Sequence, residues 1–233
     1  MRAYVINLAT RSDRWASVMR QQSYLGLEIE RVEAVTRDEI VRKEEPYVAN
    51  GVSATWKSHQ KAMRLFLGTS DDIALIMEDD FLLPSNFQVR LGKIIQFENF
   101  DFLQLGILKP SPLSGLSILI SNLRDLILKA LSLISLANQR FFKSYSNRVL
   151  LREQKGVPYF LVCSDIRAGG QAYLVSRNFA LAAQEMNKPA FLSSDGVFMS
   201  IGGMRSFRMF RLRKSLVNQT NSPSSVENRF RLH

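Results

Sequence analysis

At 233 residues, with hydrophobic side chains at 46% and charged ones at 22%, the chain is long and apolar enough for one large folded domain, which excludes disorder as its dominant state. Its single cysteine, Cys163, excludes an intrachain disulfide and leaves a reducing compartment open, and with only two histidines it argues against a zinc site of the usual kinds. The net charge of +10 is unevenly placed: residues 109–155 and 205–233 each carry +6 while the rest is near neutral, so the excess is directed at an anionic surface or substrate.

Residues 1–8 form an apolar stretch too short for a signal sequence, followed at once by Arg11, Asp13 and Arg14. They predict a buried first strand over 4–8. A helix is expected over 11–25, with Thr10 or Ser12 as its N-cap. Residues 31–35 alternate polar and apolar and predict a second strand, and the charged stretch 38–50, with Pro46, reads as a surface loop. Trp56, Ala62, Met63, Phe66 and Leu67 recur at helical spacing over 53–67, where Gly68 closes the helix. A strand over 71–77, a helix over 86–97 and a strand over 100–108 follow. This alternation is the pattern of an α/β domain with a mostly parallel central sheet and flanking helices.

Residues 109–155 differ in character. Polar side chains from Ser114 to Gln139 recur every three or four positions among Leu and Ile, which predicts an amphipathic helical insertion. Its broad apolar face either caps the sheet or lies on a membrane surface. Arg124, Asp125 and Lys129 interrupt it, so it is a poor membrane-spanning segment. Strand character returns at 159–163 and 169–175, and Ser176 is placed to cap a helix over 177–186. Beyond 205 the chain is basic and then rich in Ser and Asn, and reads as a loosely ordered tail on a domain spanning 1–204. Gly169-Gly170 lacks the spacing of a nucleotide-binding glycine fingerprint.

Glu78-Asp79-Asp80 follows directly on the apolar run Ile73-Ala74-Leu75-Ile76-Met77. Alternation along a strand turns Glu78 and Asp80 to one side and Asp79 to the other. Open α/β sheets bind ligands outside the carboxyl ends of their strands, and paired carboxylates there suit a hard divalent cation holding a diphosphate. The competing reading is a solvated acidic turn. Three like charges crowded against a buried strand are costly unless something cationic sits with them.

Four blocks in order resemble glycosyltransferase family 25, the lipooligosaccharide galactosyltransferase-like enzymes. They are Val5-Ile6-Asn7-Leu8 with Arg11 and Arg14, Ser58-His59 with Ala62, residues 74–80, and Gly169 through Ala172-Tyr173-Leu174-Val175-Ser176. The tail Ser215-Leu216-Val217-Asn218-Gln219, followed by Ser224-Ser225, is similar to that family's C-terminal signature. Ala54-Thr55 stand where the family usually has Gly-Cys, and the helical insertion is a further departure. The resemblance implies a GT-A type, Rossmann-like fold, a UDP-sugar donor, Mn²⁺ or Mg²⁺, and inverting transfer of a sugar, galactose foremost, to an oligosaccharide or glycolipid acceptor in surface-glycan synthesis. It implies a cytoplasmic enzyme, peripheral on the inner face of the membrane, with no nucleic-acid partner.

Carried onto this chain, Asp80 and Glu78 are the metal ligands. Asn7, Leu8, Arg11, Ser58, Glu78 and Asp79 form the donor-binding set, with Asp79 better suited to bracing the turn than to direct ligation and Arg14 suited to pairing on a helix surface. Asp195, the only acid between Glu185 and Glu227, is the candidate general base, against the alternative of a helix N-cap. His59 either contacts phosphate or metal or is a satisfied structural residue, and Gln171 and Tyr173 are placed along an acceptor pocket. Arg205, Arg208, Arg211, Arg213 and Lys214 suit an anionic lipid surface. Two rivals remain: a non-catalytic protein binding an anionic surface, membrane or nucleic acid, on the same fold, and a metal-dependent phosphoesterase, for which a second set of metal-holding acids or histidines is scarce.

Overall fold

A computed structural model describes residues 1–45, 47–97, 99–106, 161–163, 166, 169–202, 207–212 and 215–220. Its layering is visible in strand β1 (Ala3–Asn7), all five residues of which are buried. Ala3 and Val5 join one apolar cluster with Val18, Leu25, Phe87 and Leu91, whereas Tyr4 and Ile6 join another with Trp56, Met63, Phe66 and Phe179. A strand covered on both faces is what a continuous apolar run signals.

The central sheet has the order β2 (Ile29–Glu33), β1, β3 (Ile73–Glu78), β7 (Ala172–Ser176), β5 (Phe102–Gln104), β8 (Met209–Leu212), β6 (Leu161–Cys163). Five of these strands run the same way; β7 and β6 oppose them. Helices α1 (Ser12–Arg20), α2 (Gln22–Leu25) and α4 (Phe87–Phe97) cover one face, and α3 (Asn50–Leu67), α5 (Arg177–Glu185) and α6 (Ser194–Gly202) cover the other. The expected α/β architecture with a mostly parallel central sheet is therefore what the chain adopts. The crossover from β1 to β2 uses one face and that from β2 to β3 the other, so chain order reverses between β1 and β3. Reversals of this kind open a crevice at the carboxyl ends of the strands.

Local chemistry accounts for most element boundaries. The first helix divides at Gln21, and Gly26 stops α2 at φ +64°, where a Cβ would overlap the Gln88 side chain. Neither Thr10 nor Ser12 caps α1: the N-cap is Arg11, without a side-chain hydrogen bond. Gly68 closes α3 by donating its N–H to the Arg64 and Leu65 carbonyls, and Ser176 caps α5 by accepting from the Phe179 N–H at 3.3 Å. The charged stretch after residue 38 is not wholly a surface loop. Glu45 is buried there, accepts from the Ala190 N–H and pairs with Lys57 at 2.9 Å, tying this segment to the approach to α6.

The largest departure from expectation is the C-terminal segment. Residues 209–212 are an inner strand of the sheet, Leu216 and Val217 are buried, and β9 (Asn218–Gln219) pairs with β4 (Phe81–Leu82). The basic residues concealed this strand, because one of them is itself buried: Arg211 lies inside the sheet region, and Arg208 pairs with Asp101 at 3.2 Å. Both arginines are thus engaged in the fold. The insertion 109–155, together with Arg205, Arg213 and Lys214, lies outside the described residues. Among the described residues no helix is long and apolar enough to cross a membrane.

Candidate functional site

A cleft of about 510 Å³ opens at the carboxyl ends of β1, β2 and β3. Leu8 and the turn after β3 form its floor, residues 34–38 one wall, and the first half of α3 another, with Asp195 of α6 and Gln219 of β9 at the rim. Its size suits a bound small molecule. Five carboxylates (Asp38, Glu78, Asp79, Asp80 and Asp195) line it against two guanidinium groups, Arg14 and Arg37. A diphosphate entering such a cleft is repelled unless a cation enters with it.

The three consecutive acids have three different fates. Asp79 is fully engaged: Arg14 Nη1 donates to its Oδ1 at 2.8 Å, and Asn7 Nδ2 donates to its Oδ2 at 2.6 Å. Asn7 in turn accepts from Arg31 Nε at 3.0 Å and Nη2 at 2.6 Å, and the Arg31 guanidinium lies 5.0 Å from the Trp15 ring centre. This chain, buried at Asn7, Arg14 and Asp79 and open to solvent at Arg31, braces the turn that carries the other two acids.

Asp80 is only half satisfied. Gln219 Nε2 donates to its Oδ2 at 2.7 Å and Arg14 Nη1 stands 3.8 Å away, while Oδ1 is buried with no hydrogen-bond partner among the described residues. Burial, and next the charge of Glu78, push the Asp80 carboxyl up to about 6, against the opposing pull of Gln219 and Arg14. Glu78, the last residue of β3, keeps about a third of its side chain exposed. A buried acceptor without a donor among the described residues, beside a second carboxylate, is costly when ionised, and either a proton or a cation relieves that cost.

The antiparallel entry of β7 beside β3 completes the site. Because Met77 pairs with Ala172, the turn at Gly169-Gly170 lands against Glu78, whose N–H donates to the Gln171 carbonyl at 3.0 Å. Gly170 marks the meeting point: a Cβ there would lie 3.2 Å from Asp195 Oδ1 and 3.6 Å from both Glu78 Oε1 and His59 Nε2. Asp195 is half-buried in the first turn of α6. It is not the N-cap, because Ser193 Oγ accepts from the Gly196 N–H at 3.2 Å. Gly170→Ala would push a methyl group into this junction, and the expected result is about a tenfold loss of whatever turnover the site supports, with the melting temperature little changed. Wild-type turnover in that variant would remove Gly170 from the working geometry.

Of the residues singled out in the sequence, Leu8, Ser58, His59, Glu78, Asp79, Asp80 and Asp195 all line this one cleft, as do Ala54 and Thr55. Asn7 does not line it and acts instead as the brace of Asp79. Arg11 pairs with Asp13 at 2.8 Å outside the cleft. Ser58 Oγ donates to the Ala54 carbonyl at 2.7 Å and accepts from the Val35 N–H at 2.9 Å, fixing α3 against the wall. Gln171 and Tyr173 are buried and do not line the cleft. Arg14 and Gln219 also line the cleft and hold Asp79 and Asp80, roles that the sequence alone does not give them. Arg14 sits one helical turn before buried Val18, so its inward direction is readable from spacing. Gln219 has no such local signal, since it reaches Asp80 across 139 residues of sequence.

Among the described residues, no three or more His, Cys, Asp or Glu side chains are grouped to hold a metal ion by themselves. The donor set is a pair, Asp80 with its unpartnered oxygen and Glu78. A pair fits Mg²⁺ or Mn²⁺, for which one or two carboxylates suffice when phosphate oxygens and water supply the rest, and it does not fit an all-protein cage. No protein-family model matches this chain, and no curated protein matches it either.

Proposed function

We propose that this protein is a metal-dependent glycosyltransferase that moves a sugar from a nucleoside-diphosphate donor to a hydroxyl of a glycan acceptor. The observation that carries the reading is the buried, unpartnered Asp80 Oδ1 beside Glu78, at the strand ends where chain order reverses, with Asp195 across the Gly170 turn. The resemblance of the sequence blocks narrows it to an inverting, GT-A type enzyme using a UDP-sugar, galactose foremost, and an acceptor in lipooligosaccharide or another surface glycan.

When bound by Asp80 and Glu78, a divalent cation supplies positive charge to the diphosphate leaving group. The chain's own residues do the rest. Asp79, paired with the Arg14 guanidinium and hydrogen-bonded by the Asn7 amide, holds the turn in place and has its charge offset by Arg14. Residues 34–38 and Leu8 form the wall and floor along which the nucleoside lies. Asp195 accepts the proton of the acceptor hydroxyl as its oxygen bonds to the anomeric carbon. The bond from that carbon to the phosphate oxygen breaks, and the nucleoside diphosphate leaves with the electron pair.

A non-catalytic binder of anionic surfaces is the weaker reading, since Arg208 and Arg211 are engaged within the fold and the cleft is lined by acids. The deciding experiment offers the purified protein UDP-, GDP- and CMP-sugars with Mn²⁺ and measures released nucleotide. UDP release that a chelator stops is the expected result. No release from any donor, with or without metal, would sink the assignment.

A further inference from the structure

Behind the acidic pair lies a buried couple, His59 and Tyr173, both 0% exposed. The Tyr173 hydroxyl stands 2.7 Å from His59 Nδ1 and has no other polar partner among the described residues. Around it are rings: Phe102 is stacked at 5.1 Å between centroids, and Phe198 lies at 4.9 Å. Burial, and then the charges of Glu78 and Asp195, raise the phenol well above its ordinary range, so it keeps its proton. A buried O–H with one acceptor in reach donates to it. Nδ1 is therefore the accepting nitrogen, and the proton of the imidazole sits on Nε2.

That second nitrogen is also buried. Among the described residues it has no hydrogen-bond partner, and Glu78 Oε1 lies 3.6 Å away. A carboxylate oxygen facing an N–H donor at this distance needs only a small rotation of the glutamate to close the bond, and Gly170, lacking a Cβ, leaves the room for it. Nε2 is closed off from solvent, so the group it faces is Glu78.

We propose that Tyr173 and His59 are a positioning pair: the hydroxyl fixes the imidazole as the Nε2–H tautomer, and that N–H orients the Glu78 carboxylate so that its other oxygen faces the cleft. The inference rests on Glu78 holding a divalent cation in the proposed transferase. It gives His59 a role distinct from either metal ligand or acid–base catalyst, one that donors behind a metal-holding group often play.

The test begins with ¹⁵N spectra of imidazole-labelled full-length protein carrying His233→Asn, which leaves His59 as the sole histidine. A single Nε2–H tautomer at neutral pH is expected, and Tyr173→Phe, which keeps the ring stack, should turn it into a mixture. An Nδ1–H tautomer, or an imidazolium protonated on both nitrogens, in the tyrosine-containing protein overturns the proposal. Calorimetric titration with Mg²⁺ alone supplies the second arm. His59→Asn should weaken Mg²⁺ about 10–100-fold, and His59→Gln, whose amide nitrogen reaches toward the Nε2 position, should recover most of that loss. Equal affinity in all three proteins also overturns it. Neither arm needs turnover, so an absence of nucleotide release from every donor defeats the transferase reading separately from the positioning pair.

Discussion

The Asp80→Asn variant is expected to be more stable than the wild type in metal-free buffer near neutral pH, and to have lost on the order of 10²–10³-fold in nucleotide release. The stability gain follows from the direction of the carboxyl's shift. Folding raises it from 3.8 to about 6, so between those values the folded state holds more protons than the unfolded one. The ionised form thus weakens the fold, fully above pH 6 and progressively less as pH falls toward 4, where the unfolded chain is protonated as well. The amide carries no such cost. Its advantage is ~1–3 kcal/mol at neutral pH, or several degrees for a chain of this size, and vanishes below about pH 4.

Mn²⁺ should raise the melting temperature of the wild type and move the variant far less, because the variant keeps only Glu78 of the pair. Thermal unfolding across this pH range, with and without Mn²⁺, checks each part. A variant less stable than the wild type at neutral pH, or one equally stabilised by the ion, would mean that Arg14 and Gln219 already satisfy Asp80 and that the cleft has no place for a cation.

The Asp195→Asn variant is expected to show the second large effect, a fall in kcat of roughly 10²–10⁴-fold with the KM for the donor and the Mn²⁺ requirement unchanged. The separation of kcat from KM is what distinguishes this residue from Asp80. Asp195 stands across the Gly170 turn from Glu78, and the α6 cap belongs to Ser193, so an amide at 195 leaves both the helix start and the acidic pair in place. Loss of a first-turn carboxylate costs the helix about 0.3–1 kcal/mol at most, too little to unfold the domain. Steady-state kinetics at saturating donor, alongside thermal unfolding, measure the two. A raised KM with kcat intact would move Asp195 from proton acceptor to donor binding and leave the site without its base.

Much of the site was legible because its parts sit at the ends of strands that announce themselves. The run at 73–77 is apolar on both faces and could only be interior, so the acids following it had to emerge at the carboxyl end of an inner strand with too much like charge. Ser58-His59 belongs to a helix whose spacing was plain, and Ser176 caps where its position before an amphipathic stretch suggested. Buried charge misled the reading in the other direction. Composition places Glu45 in a surface loop and Arg211 in a tail, because it assumes that charged side chains face water; in the fold both are buried, Glu45 accepting from the Ala190 N–H 145 residues away and Arg211 donating to the Leu212 carbonyl.

The sequence by itself determined the alternation of strand and helix, the burial of β1 and β3 and the acidic step at residue 78, because each is written in neighbouring residues whose period matches a strand or a helix. Only the tertiary structure decided that β7 enters antiparallel beside β3 and sets Gly170 and Tyr173 against Glu78 and His59. It alone brought Gln219 to Asp80, and it alone paired Asp79 with Arg14 and Asn7 while leaving Asp80 half satisfied. Contacts between residues tens of positions apart leave no periodic trace, since strand order and crossover hand, not local spacing, choose which side chains meet.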